Sequence, residues 1–289
     1  MTNWPDPLVR DIARRRSVIV LGSGVSRQAN RAPGTPPPPG WKDLLIDANK
    51  SVPGGAKPHI TEAINNGDYL HACEWLKVAY DSQWHDFIRS RLAKPKYSPA
   101  DVHRKISEID SRIVFSLNFD DIFERAAKDF YEGNCYVKQY YSNDVEEFLR
   151  GSGRYIVKIH GSLDELTRTI FTQGEYSSAR ISEAKFYNAF DSALLSHTFL
   201  FIGAGYNDPD INLILENQNF MYQSAHPHYF LAPTGLHEDR KRSLRMNRNL
   251  EVVEYDPADS EHSGFGAAIV ELLDRVEGER ENLQSTMDW

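Results

Sequence analysis

The sequence predicts an α/β fold, a doubly wound and mainly parallel Rossmann-like sheet with an α-helical insertion after its first strand. Three observations carry this. Short apolar runs rich in β-formers recur at 17–24, 112–119, 154–161, 198–205, 228–233 and 250–256. Most are continuous rather than alternating, which implies burial on both faces and hence parallel pairing. Helical patterns such as DDIFERAAKDFY and GAAIVELLDRVEG stand between them, as a βαβ order requires. From 41 to 109 only helical periodicity occurs. Residues 1–40 and 110–289 therefore read as one Rossmann-like domain, and 41–109 as a helical insertion or lid.

The first strand ends in LGSGVSRQA. Gly22 and Gly24 permit close backbone approach, and a helix N-terminus beyond them favours a pyrophosphate, with Ser23 and Ser26 offering hydroxyls. Arg27 replaces the third glycine of GxGxxG and no GK[ST] follows, so a tight strand-to-helix turn is the competing reading. The segment RAPGTPPPPG at 31–40 is a stiff, polyproline-like loop, because proline lacks the N–H and fixes φ. Helical periodicity then runs through GWKDLLIDANK, HITEAINNG, DYLHACEWLKVAYD, WHDFIRSRL and PADVHRKISEI.

The second strand ends in SLNFDD, an amide and two carboxylates at the lip of a buried strand. Asp120 and Asp121 are placed to cap the next helix; Asn118 stands where α/β sheets bind ligands. The next strand ends in VKIHGSLDE. His160 is placed there for proton transfer, as the side chain whose ordinary pKa lies nearest working pH, and a structural histidine is the alternative. FIGAGYNDPDIN puts Gly203 and Gly205 at another strand end, with Asp208 as a cap and Pro209 at the first helical position. The basic run EDRKRSLRMNR reads as one solvated helix, and the tail 281–289 as frayed or engaged in a subunit contact.

The totals exclude several classes. A net charge of −8 and a pI of 5.7 argue against direct nucleic-acid binding. Cys73 and Cys135 form no CxxC pair, which excludes a cysteine-rich zinc module and a disulfide framework and suits a reducing cytoplasm. No apolar stretch reaches the roughly 18 residues of a membrane span, and the N-terminus has no signal-peptide core. A cytoplasmic protein is expected.

In a doubly wound sheet the ends carrying GSG, NFDD, HG and GAG converge on one crevice. In this order they resemble the sirtuin family: GSGVS (22–26) its phosphate loop, NFD (118–120) its Asn-x-Asp strand end, HG (160–161) its His-Gly, and GAG (203–205) its Gly-Ser-type strand end. The departures matter too. Sirtuin deacylases hold zinc with four cysteines after the His-Gly, and no cysteine follows His160 here; the Gly-Ile-Pro-Asp-Phe-Arg stretch is replaced by the proline-rich segment. The chain more closely resembles the zinc-free sirtuin-like domains of bacterial anti-phage defence, including those that work beside a HerA-type ATPase.

The resemblance implies a latent NAD glycohydrolase that releases nicotinamide and ADP-ribose and acts by NAD depletion, with NAD as substrate and no metal. It also implies self-assembly into a homo-oligomer and a HerA-type ATPase partner. Asn118 would orient the nicotinamide ribose or a water, Asp120 would hold the polar network or favour the developing positive charge, and His160 would be the general base. Gly22, Ser23, Gly24, Ser26, Gly203 and Gly205 would bind the dinucleotide. Two alternatives stand beside this: a non-catalytic subunit that binds NAD or ADP-ribose, and a protein deacylase or ADP-ribosyltransferase.

Overall fold

A computed structural model describes residues 1–205, 209–222 and 226–286. Its strands are β1 (Ser17–Leu21), β2 (Ile113–Ser116), β3 (Tyr136–Gln139), β4 (Tyr155–Lys158), β5 (Thr198–Ile202), β6 (His228–Pro233) and β7 (Leu250–Tyr255). Among the described residues they form one sheet in the order β3-β4-β2-β1-β5-β6-β7, with every pairing parallel. The chain builds outward from β1 on one side, then crosses back to lay β5 on the other. The topological switch point, where such sheets bind ligands, therefore lies between β1 and β5.

Continuous apolar strands are explained by cover on both faces. Val18, Val20, Phe115, Val157 and Phe201 pack on one side with Phe186 and Phe190 of the helix Ala184–Ser196. Ile19, Leu21, Leu200 and Ile202 pack on the other with Leu8 and Ile12 of the helix Asp6–Ala13 and with Phe265 and Leu272 of the helix Gly264–Thr286. The strand missing from the sequence reading is β3. It is an edge strand with no fully buried residue, so YVKQ lacks the apolar run that marks the others.

The insertion has its own core. Helices Trp41–Ser51, Pro58–Asn65, Tyr69–Tyr80 and Trp84–Leu92 bury Leu45, Ile60, Leu76 and Ile88 together with Phe119, Leu166 and Phe171 of the sheet domain. Phe171 is ringed by Trp41, Trp84 and Phe119, with centroids 6.0, 5.5 and 4.5 Å away. Lys77 is ion-paired to Glu175 across the same seam. A shared apolar seam of this kind fixes the insertion against the sheet.

Two expectations change. The helix Asp101–Glu108, expected to belong to the insertion, sends Ile106 into the sheet's core beside Ile109 and Ile19, so the insertion's own core ends at Leu92. Residues 281–286 are not frayed, since the last helix continues through Thr286 and buries Leu283. The basic run is one helix, Glu238–Arg248. Asp208, expected as a cap, lies outside the described residues, as do 287–289. No described helix is long and apolar enough to cross a membrane.

Candidate active site

The turns after β1 and β5 interlock. Gly22 N–H donates to the Ile202 carbonyl at 3.0 Å and Gly24 N–H to the Gly203 carbonyl at 2.8 Å. A Cβ on Gly22 would stand 2.3 Å from Ala204 Cα, and one on Gly203, whose φ is +62°, would stand 2.6 Å from the Val25 nitrogen. The close approach these glycines permit is thus between two protein turns. The helix that begins at Ser23 is only four residues long. It offers little macrodipole for a phosphate, contrary to the expectation from sequence.

A cavity of about 310 Å³ opens at the carboxyl ends of β1, β2 and β4 beneath the insertion. Gly22, Ser23, Asn118, Asp120, His160 and Gly205 line it from the sheet domain, and Trp41, Leu44 and Leu92 from the insertion. Asn118 is buried and donates its side-chain amide to the Gly22 carbonyl at 3.0 Å, which ties the end of β2 to the glycine turn. Asn118 also lines the cavity, and a carboxamide has a second hydrogen and an acceptor oxygen beyond that one bond.

Asp120 and Asp121 divide the roles expected of them. Asp120 accepts from Ile122 N–H at 3.1 Å, so its side chain starts the helix Ile122–Phe130. Its other oxygen accepts from Ser26 Oγ at 2.8 Å. Ser26, expected to donate to a phosphate, spends its proton on this buried bond and does not line the cavity. Asp121 turns outward to Arg125, 3.0 Å away.

Beneath Asp120 lies a buried ion pair that sequence reading overlooked. Lys158 Nζ donates to Glu124 at 2.7 Å and also to the Asp120 carbonyl, with both side chains under 7% exposed. Burial pushes the Glu124 carboxyl upward, and the Lys158 ammonium offsets part of that. The signal was a lysine closing the buried run YIVK, since a charge is not buried without a partner.

His160 follows β4 and is buried at the cavity wall. Gly161 makes the turn: its φ is +83°, and a Cβ there would meet the Arg168 carbonyl at 2.7 Å. The imidazole packs edge-on against Tyr176, at 5.2 Å and 83°. Tyr176 is carried by the helix Gln173–Ser182, whose capping box joins Thr172 and Glu175. Glu175 also accepts from Phe171 N–H at 2.8 Å.

A second cavity, of about 430 Å³, lies on the far side of the glycine turns. Gly24, Gly203, Thr234 and Tyr255 line it, and Gly205 borders both cavities. The six residues expected to bind a dinucleotide are therefore spread across the switch point. Gly22 and Ser23 face one cavity, Gly24 and Gly203 the other, Gly205 both and Ser26 neither. Among the described residues no three His, Cys, Asp or Glu side chains stand within reach of one metal ion.

Residues 112–253 match the family described as SIR2-like domain. The match runs from β2 into β7 and so includes Asn118, His160 and Gly203, while β1 and the insertion lie before it. The chain is 28% identical over 236 residues to the NAD(+) hydrolase ThsA of Acinetobacter baumannii (strain 532279), covering 78% of this chain and 44% of that protein. It is 26% identical over 139 residues to the NAD(+) hydrolase ThsA of Enterococcus faecium, covering 47% of this chain and 29% of that one. It is 22% identical over 252 residues to Defense-associated sirtuin 2 of Bacillus subtilis, covering 82% and 23%. The chain spans less than half the length of these curated relatives.

Proposed function

We propose that this SIR2-like chain hydrolyses NAD to nicotinamide and ADP-ribose, as a latent cytoplasmic effector of anti-phage defence. One observation carries the reading: Asn118 and His160 share a single cavity with the Gly22–Ser23 turn at the sheet's switch point. The relatives' names, NAD(+) hydrolase and Defense-associated sirtuin, supply the substrate and the context.

A dinucleotide laid over the glycine turns puts its nicotinamide ribose in the first cavity and its adenosine in the second. The bond from ribose C1′ to nicotinamide breaks with its electron pair leaving on the ring nitrogen, and positive charge develops on the ribose. Water adds to C1′, and His160 takes the proton released, directly or through a ribose hydroxyl. Asn118, held by Gly22, orients the ribose or that water through its remaining amide groups. Asp120 acts at one remove, fixing the segment that carries Asn118 through Ser26 and Ile122. The wall of Trp41, Leu44 and Leu92 limits bulk water around the developing charge. No cysteine follows His160, so the four-cysteine zinc module of sirtuin deacylases has no counterpart there.

Self-assembly and a HerA-type ATPase partner belong to the same proposal, because an enzyme that drains NAD has to be held inactive in its host. Purified protein is incubated with NAD, with and without the protein encoded beside it, and nicotinamide and ADP-ribose are followed by chromatography. Nicotinamide release that falls on the order of 10²-fold or more in His160→Ala and Asn118→Ala is expected. Unchanged turnover in both variants overturns the reading. Tight ADP-ribose binding with no release under either condition favours a non-catalytic subunit instead.

A further inference from the structure

The second cavity is closed on one side by the loop 256–263, between β7 and the last helix, and Glu261 and His262 of this loop face into it. The loop is held in a conformation that residues with side chains seldom adopt. Ala258 and His262 are left-handed, at φ 64° and 59°, although neither is glycine. Asp259 holds the turn, accepting from Glu261 N–H at 2.9 Å, Ser263 N–H at 3.1 Å and Ser263 Oγ at 2.6 Å. Asp256 accepts from Ala258 N–H at 2.9 Å, and the Tyr255 hydroxyl meets His262 Nδ1 at 2.8 Å. Backbone strain that so many bonds sustain clusters at ligand clamps.

We infer that Glu261 selects a dinucleotide whose adenosine ribose carries a free 2′-hydroxyl, and rejects one phosphorylated there. The inference rests on the proposed function for which nucleoside enters which cavity. Glu261 is tied to the glycine turn's own helix end, because its backbone carbonyl accepts from Gln28 Nε2 at 3.3 Å. The cations at this mouth already have partners. Arg27, which lines the cavity, bonds Asp43 at 2.7 Å, and Arg31 bonds Glu261 through Oε2 at 3.3 Å. Oε1 is left to accept a ribose hydroxyl, the task an acidic side chain performs in other dinucleotide sites at a switch point. A 2′-phosphate in its place brings two like charges together at the cavity mouth, where Arg27 is engaged by Asp43 and Arg31 by Glu261 itself.

The test is calorimetric titration of the intact chain with ADP-ribose and with 2′-phospho-ADP-ribose, for wild type, Glu261→Gln and Glu261→Arg. Wild type is expected to bind ADP-ribose at least tenfold more tightly. Glu261→Gln narrows that ratio at least threefold, and Glu261→Arg reverses it. Equal wild-type affinities, an unchanged ratio in Glu261→Gln, or no binding of either compound overturns the inference. The titration reads binding without turnover. Missing nicotinamide release with a preserved preference would sink the proposed hydrolase alone, and normal release with equal affinities would sink this inference alone.

Discussion

Asn118 and Gly22 are joined by one hydrogen bond, side-chain amide to backbone carbonyl at 3.0 Å, and through it the ends of neighbouring strands β2 and β1 share a cavity wall. A bond of this kind contributes about 1 kcal/mol to stability. Asn118→Ala is therefore expected to lower the urea-unfolding free energy by about that amount while cutting NAD turnover on the order of 10²-fold. Equal fractional losses of folded protein and of activity would make Asn118 a structural residue only.

Two glycines at the switch point, Gly22 and Gly205, separate packing from binding. Gly22→Ala puts a methyl 2.3 Å from Ala204 Cα, backbone that cannot step aside, and is expected to destabilise the fold by several kcal/mol or prevent folding, as overpacking does. Gly205→Ala meets nothing within 4 Å, although Gly205 borders both cavities. Its melting temperature should match wild type within about a degree, since an open site carries no overpacking cost, while its affinity for ADP-ribose falls. Thermal melts and a ligand titration on the two variants read this difference.

Much of this site was legible because each strand end carries its own chemistry. Five interior strands announced themselves as apolar runs and the edge strand β7 by LEVVEY, half of which is buried; the other edge strand, β3, did not, because none of YVKQ is buried. Asn118 and His160 were visible as polar residues directly after such runs. The roles of Ser26 and Asp120 were not, because the bond between them crosses 94 residues and no local pattern encodes it. The glycines were correctly singled out for close approach, but what approaches is the turn 203–204, a partner known only once β5 lies beside β1.

The buried pair Lys158 and Glu124 should behave as a unit. Removing one partner strands the other charge, so Lys158→Met or Glu124→Leu is expected to cost about 3–5 kcal/mol. The double variant Lys158→Met/Glu124→Leu should recover most of that loss, because a well-packed apolar pair replaces buried ions at little cost. Since Lys158 also holds the Asp120 carbonyl, the double variant is expected to regain stability while its NAD turnover stays reduced. Denaturant titration of the double-mutant cycle, alongside turnover, separates the two effects; full recovery of both would remove Lys158 from any positioning role.

His228 sets an acid limit on the fold. It opens β6, is buried, and accepts the Phe199 N–H through Nδ1 at 3.2 Å, which requires a neutral ring. Burial holds its pKa down at about 4, against an ordinary 6.5. The folded state therefore resists a proton that the unfolded chain accepts. The stability this group contributes is present in full above pH 6.5 and is lost as the pH falls from 6.5 toward 4, by about 3 kcal/mol across that window. His228→Asn keeps an acceptor for Phe199 without a titrating ring. The difference between wild-type and variant unfolding free energies should shrink steadily as the pH drops through that range, and a difference that stays constant would show that His228 is protonated alike in both states.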